Sequence, residues 1–319
     1  MASMSDVAKR AGVGTTTVSR VINNSGYVSK AAYARVMQAI EELEYAPNQL
    51  GKNLRNKKSN IIVLIVPTIG HPFFSKLAYY IENELYRQNY KLMLINTQDN
   101  PEKEGQLVPM IRSGQVEGII YVSHHKDKID FKNIPIVTLD RHIENVPCIT
   151  SDNYEASKRA LYYLKKEGCN KIAFIGGKSQ MPSETSQRFK AYLDFCKETE
   201  NEEIYSYTEF KHGEEIFVAK TFLNKNEDID GIFSSSDLLA NACYYYLKNK
   251  GINVPEDVKI IGYDGVYNDT VPVPKYTVVK QKLDALAKEL VRVLILRITN
   301  QETNDIEYIP SEFVLGDTA

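Results

Sequence analysis

The stretch "SDVAKRAGVGTTTVSRVINNSGYVSKAAYARVMQAI" (residues 5–40) reads as three short helices. Ser3 and Asp6 form a capping-box pattern, which starts a helix over residues 4–11 with Val7, Ala8 and Ala11 as its apolar stripe. Gly12-Val13-Gly14 breaks that helix, and a second runs from Thr15 to Asn23. Asn24-Ser25-Gly26 turns the chain. Ser29 then caps a third helix that ends near Tyr45, with Val36, Ile40 and Leu43 at helical spacing. Two short helices joined by a glycine-bearing turn have helix-turn-helix spacing. The same spacing also suits a small-residue helical hairpin in an ordinary core.

Charge helps to separate those readings. Residues 1–58 carry a net charge of +5 and the rest of the chain −7, against −2 for the whole. A basic head on an acidic body points to a polyanion as the partner of the head alone. The second helix begins with hydroxyls and ends with an arginine. Thr15, Thr16 and Arg20 suit base edges, because threonine offers a hydroxyl and a methyl and arginine matches guanine with two parallel donors. Thr17, Ser19, Asn23 and Tyr27 suit phosphate contacts, which position without specifying.

At 319 residues the chain has room for two or three domains. No apolar run reaches the roughly 20 residues of a membrane span. No basic-apolar leader precedes the first helix, so the expected compartment is the cytoplasm, on the nucleoid. Cys148, Cys169, Cys196 and Cys243 are widely spaced and read as reduced packing residues rather than a disulfide or zinc framework.

From Ile61 the pattern changes. "IIVLIV" (61–66) is a buried parallel-strand run, followed by a helix at about 72–88, "KLMLI" (91–95), a helix near 101–113, "GIIYV" (118–122) and "IPIVTL" (134–139). A second series has helices at 153–167, 184–199, 213–224 and 237–250 among the strands "KIAFIGG" (171–177), "GIFSS" (231–235) and "VKIIGYD" (258–264). Two such series imply two doubly wound parallel sheets, with a ligand cleft where their carboxyl ends face. A late helix (282–299) and strands near 305–309 and 312–316 are placed to tie the lobes together. The expected division is a headpiece over 1–46, a linker over 47–59 and a two-lobed body over 60–319. One lobe takes about 60–152 plus 282–309, the other about 153–279 plus 311–319.

Strand ends then nominate cleft residues. Phe73 and Phe74 follow the first strand, Asp140 and Arg141 follow 134–139, Arg188 follows a polar loop, and Asp264 ends "GYD". Each alone is also what a core aromatic, a cap or a surface charge looks like. Together they suit polyhydroxyl recognition, since carboxylate and guanidinium each hold two hydroxyls in a fixed plane. Three other signals carry little. "GGKS" (176–179) lacks the glycine a phosphate loop needs at position 172, His124-His125 lacks a third metal ligand, and Tyr244-Tyr245-Tyr246 suits helix packing.

"DVAKRAGVGTTTVSRVIN" followed by "VSKAAYARVMQAIEELEYAPNQLGKNLR" resembles the headpiece of the LacI/GalR family of bacterial transcriptional repressors, and the two-lobed body fits the same family end to end. The resemblance implies an α-helical headpiece on a periplasmic-binding-protein-like α/β body. It implies a non-enzymatic repressor that binds pseudo-palindromic operator DNA as a homodimer, under a small-molecule effector and without a cofactor. "PNQLGKNLR" aligns with the family's hinge helix, which makes Leu54 the residue wedged into the minor groove. The body also resembles ribose-binding periplasmic proteins. That likeness implies sugar contacts from Phe73, Phe74, Asp140, Arg141, Arg188, Asp264 and Gln281, with Ser236 where those proteins place asparagine. Gly14 departs from the family's usual serine cap, and His71 replaces an asparagine.

Several functions stay open on these residues. A sugar-responsive repressor of a carbohydrate operon leads. A purine-responsive regulator would want more aromatic stacking near Asp140, where Arg141 stands. A regulator that docks a phosphocarrier protein would use the surface of the body. A sugar transport protein shares the body but has no use for a basic head. A sugar kinase would need a phosphate loop and a nucleophile–base set.

Overall fold

The structure is a computed structural model. It describes residues 2–45, 59–98, 100, 102–103, 109–110, 113–122, 134–179, 182–267 and 274–319. The chain divides into two compact units, Met1–Ser59 and Asn60–Ala319.

In the first unit, helices α1 (Met4–Ala11), α2 (Thr15–Asn23) and α3 (Lys30–Glu42) follow the capping signals. The Ser3–Asp6 capping box is formed, and Gly12 ends α1 in the left-handed region at φ 65°, where glycine meets no steric cost. Val7, Val18 and Val36, one from each helix, are fully buried and centre a small core. Arg10 on α1 donates to Glu42 on α3 at 2.6 Å. The third helix stops at Glu42 rather than near Tyr45. Glu44 turns left-handed there (φ 45°), and the Tyr45 amide donates back to the Ile40 carbonyl.

The second unit holds two six-stranded sheets. The first contains β1 (Ile61–Val66), β2 (Lys91–Asn96), β3 (Gly118–Tyr121), β4 (Ile136–Leu139), β5 (Cys148–Ser151) and β11 (Ile306–Ile309), in the order β11-β5-β4-β3-β1-β2 and parallel throughout. The second contains β6 (Ile172–Gly177), β7 (Ile204–Thr208), β8 (Gly231–Ser234), β9 (Lys259–Asp264), β10 (Thr277–Lys280) and β12 (Glu312–Val314). Its order is β12-β10-β9-β8-β6-β7, with β12 antiparallel. The chain therefore passes between the sheets three times: after β5, after β10 and between β11 and β12.

Helix α4 (Pro72–Arg87) and the late helix α9 (Leu283–Ile298) pack together on the first sheet. On the second sheet, α5 (Asn153–Lys166) and α6 (Ser186–Thr199) cover one face through Leu161, Tyr192 and Phe195, and α7 (Glu215–Leu223) and α8 (Asp237–Asn249) cover the other. Strands β5, β7 and β10 do not stand out in the sequence. "CITS" and "TVVK" are short, and "IYSYT" is a half-exposed edge strand. The helix expected near 101–113 falls mostly outside the described residues. The four cysteines are buried and reduced. Among the described residues no helix is long and apolar enough to cross a membrane.

Candidate functional site

On the headpiece, the sequence of α2 separates two faces. Val18 and Val21 point into the core, while Thr15, Thr16 and Arg20 are exposed. Thr17 and Ser19 are half-buried, and Asn23 folds its carboxamide back to donate to the Ser19 carbonyl at 2.8 Å. Tyr27 is 87% exposed. Gly14 is the N-cap of α2 and offers no side-chain acceptor to the first turn. Leu54 and the rest of the expected hinge helix lie outside the described residues.

In the second unit a cavity of about 840 Å³ opens at the carboxyl ends of both sheets. Seven of the eight residues expected at an effector line it: Phe73, Phe74, Asp140, Arg188, Ser236, Asp264 and Gln281. Arg141 does not. It is 2% exposed, and its backbone bridges to Ser183. Burial lowers the pKa of its guanidinium, with Asp140 opposing.

Phe73 belongs mainly to the first core, with Phe74 edge-on to it at 5.2 Å. Asp140 follows β4 with a left-handed backbone (φ 59°) and accepts the Thr150 hydroxyl at 2.5 Å. Arg188, in the first turn of α6, donates from Nε to Asn153 Oδ1 and from Nη1 to the Ser235 carbonyl, each at 2.7 Å. Its guanidinium carbon sits 3.6 Å from the centre of the Tyr263 ring, a stacking that a planar cation favours. Asp264 ends β9 at φ 99°, a strained conformation for a residue with a side chain. It accepts from Gln281 Nε2 at 2.7 Å, with Arg188 Nη1 3.7 Å away. Burial pushes its carboxyl up to about 6, although Arg188 and Gln281 pull the other way. Ser236 caps α8, accepting weakly from the Leu239 amide. Asp237, next to it, is buried and accepts the Val266 amide at 2.7 Å. Burial and the nearby Asp264 raise its pKa.

The second lobe adds lining that the sequence reading missed: Tyr207, Phe210, Lys211, His212 and Glu215. Tyr207 lies on the unrecognised strand β7, Phe210, Lys211 and His212 follow it, and Glu215 opens α7. His71 caps α4 by accepting the Phe73 amide, and its ring lies 5.8 Å from that of His212 on the opposite lobe. Burial, then the His212 charge, lowers the His71 pKa to about 4. The lining carries three Lys or Arg side chains against five carboxylates. That balance suits an uncharged, hydroxyl-rich ligand better than a phosphate. Among the described residues no group of His, Cys, Asp and Glu side chains is arranged to hold a metal ion.

Residues 3–48 match the family model for bacterial regulatory proteins of the lacI family. Residues 59–313 match the model for periplasmic binding proteins and the sugar-binding domain of that family. The sucrose operon repressor of Streptococcus mutans is 36% identical over the whole of this chain and 99% of its own length. The ribose operon repressor of Halalkalibacterium halodurans is 35% identical over the whole of this chain and 97% of its own. A periplasmic binding protein/LacI transcriptional regulator from Alkaliphilus metalliredigens, solved with D-xylulofuranose, is 30% identical. It covers 82% of this chain and 99% of its own, with a TM-score of 0.71.

Proposed function

This chain belongs to the LacI family of bacterial regulatory proteins, which bind DNA and are not enzymes, and from that premise we propose that it represses a carbohydrate-utilisation operon under control of a small uncharged sugar. In this reading residues 1–46 read the operator, with Thr15, Thr16 and Arg20 on base edges and Thr17, Ser19, Asn23 and Tyr27 on the backbone. Residues 47–59 form the hinge segment with Leu54 as minor-groove wedge, and two copies of the chain act on a pseudo-palindromic site.

One observation carries the effector reading. Asp140, Arg188 and Asp264 line one cavity, and each is anchored on part of its polar group by protein partners. Anchored in this way, carboxylates and a guanidinium can discriminate sugar hydroxyls by position. Phe73 and Phe74 supply the apolar side for a sugar ring, and Gln281 and Ser236 supply further polar edges. The relatives named for sucrose and ribose operons, and the neighbour solved with a furanose, agree in class. Closing of the lobes on the sugar would alter operator affinity through the hinge segment, a coupling that must be reciprocal between the two ligands.

The test is a thermal-shift screen with D-ribose, D-fructose, sucrose, their phosphates and hypoxanthine. It is followed by operator binding with and without each hit. A free sugar is expected to raise the melting temperature and change operator affinity. A response confined to sugar phosphates or to hypoxanthine overturns the reading. A loss of operator response to sugar only when a phosphocarrier protein is withheld would transfer control to the surface of the body.

A further inference from the structure

Asn153 is 2% exposed and does not line the cavity, yet every hydrogen-bonding position of its carboxamide is in use. Nδ2 donates to Thr150 Oγ1 at 3.0 Å and to the Ser151 carbonyl at 3.1 Å. Oδ1 accepts from Arg188 Nε at 2.7 Å and from the Tyr263 hydroxyl at 3.3 Å. Because arginine only donates, Arg188 fixes which carboxamide atom is the oxygen. Nδ2 must then face Thr150. With its oxygen accepting from Asn153, the Thr150 hydroxyl has one hydrogen left to give. It gives it to Asp140 Oδ1 at 2.5 Å, closer than the alternative Ser151 carbonyl at 3.3 Å.

The chain Asp140–Thr150–Asn153–Arg188 therefore runs from the carboxylate of one lobe to the guanidinium of the other, through the first crossover. It is buried along its length, where each donor or acceptor left unmet costs about 1–3 kcal/mol. An aspartate at position 153 would lose the donor pair, an aliphatic side chain both pairs, and a glutamine would carry the same groups one methylene too far.

We infer that Asn153 is a positioning residue for sugar recognition, setting the Arg188 fork directly and the Asp140 carboxylate through Thr150, so that hydroxyl contacts from both lobes are held in one fixed relation. This rests on the sugar reading of the cleft. It assigns Asn153 and Thr150 to selectivity without contact with the ligand.

The test is calorimetric titration of the full-length protein with D-ribose, D-fructose and sucrose in Thr150→Val, Thr150→Ser, Asn153→Asp and Asp264→Ala. The folded fraction of each variant is read by near-ultraviolet circular dichroism. Thr150→Val keeps the shape and removes the hydroxyl, so the preferred sugar is expected to bind at least tenfold more weakly and the preference among sugars to narrow. Thr150→Ser restores the hydroxyl and is expected to recover both. Asn153→Asp turns two donors into acceptors and is expected to follow Thr150→Val. Unchanged affinity and rank order in Thr150→Val and Asn153→Asp, with binding lost in Asp264→Ala, overturns the positioning role alone. Unchanged binding in all the variants overturns the cleft reading and this inference with it. Equal loss for every sugar in Thr150→Val without recovery in Thr150→Ser marks a packing role and also overturns the inference.

Discussion

Ser151 donates its hydroxyl to Oε1 of Gln281 at 2.5 Å, joining two crossovers 130 residues apart in the chain. The neighbouring Asp152 accepts the Ser311 amide at 2.7 Å, which brings in the third crossover. The segment "SDN" (151–153) thus touches every passage between the lobes, and Gln281 in turn holds Asp264. Ser151→Ala breaks the first link and leaves in place every side chain proposed to meet the sugar, although Gln281 Oε1 loses one partner. The expected outcome is a larger loss in sugar-dependent change of operator affinity than in sugar affinity itself. Coupling of this type is typically about 1–3 kcal/mol. Operator binding by fluorescence anisotropy, titrated with and without sugar, measures the difference.

Arg188→Lys keeps the charge and removes the fork. A single ammonium cannot donate at once to Asn153 and Ser235 and also stack flat on Tyr263. Sugar affinity is expected to fall more than tenfold, and stability by about 1–3 kcal/mol from the unmet buried acceptors. Calorimetry and urea unfolding report the two losses separately. Near-normal values in both would show that the fork geometry is dispensable.

The pH dependence has opposed parts, with Asp237, raised by burial and by Asp264, acting in the same direction as Asp264. Burial raises Asp264 to about 6, above its unfolded value, so its contribution to stability is full below about 3.8 and is lost as pH rises through 6. Burial, then His212, lowers His71 to about 4, so its contribution is full above about 6.5 and is lost as pH falls through 4. The two partly cancel in a melting curve between pH 4 and 6. Sugar affinity follows the ionisation of Asp264 more directly, because only its carboxylate form accepts from two hydroxyls. Affinity is expected to fall as pH drops through about 6. Calorimetric titration across that range checks it, and a flat profile would remove Asp264 from the contact set.

Operator reading is tested at Arg20. Its exposure beside Thr16, opposite Val18 and Val21 in the core, leaves it free to meet a guanine edge. Arg20→Ala is expected to weaken operator binding by about 1–3 kcal/mol and to relax base preference at one position of each half-site. Binding to a panel of singly substituted operators reads this out. A uniform loss across the panel would make Arg20 a phosphate contact instead.

The alternation of strands and helices was legible because buried parallel strands are continuous apolar runs, and site residues that directly follow such runs were legible with them. Asp140 after "IVTL" and Asp264 after "KIIGY" are of this kind. Tyr207, Phe210 and His212 were not, since β7 is an edge strand whose half-polar pattern resembles a loop. Thr150 and Asn153 were illegible for another reason. Their role depends on partners brought together only by folding, such as Asn153 and Arg188, 35 residues apart. Asp152 stands at the N-cap of α5 without a side-chain cap bond there. Its carboxylate instead accepts the Ser311 amide and pairs with Arg159.

The weak cap of α2, the helix proposed to read DNA, can be repaired. Gly14 has φ −71° and ψ 153°, which any residue adopts, and a Cβ built there meets nothing within 4 Å. Serine at this position can accept from the first-turn amides, which gain no side-chain partner from glycine. Gly14→Ser is therefore expected to stabilise the headpiece by a few tenths of a kcal/mol. Hydrogen exchange of amides 15–23 in the full-length protein should slow by a small factor, while the preference across the operator panel stays the same. Faster exchange would mean that the added hydroxyl competes with the helix rather than capping it. A changed base preference would mean that Gly14 itself faces DNA, with the close backbone approach that only glycine permits.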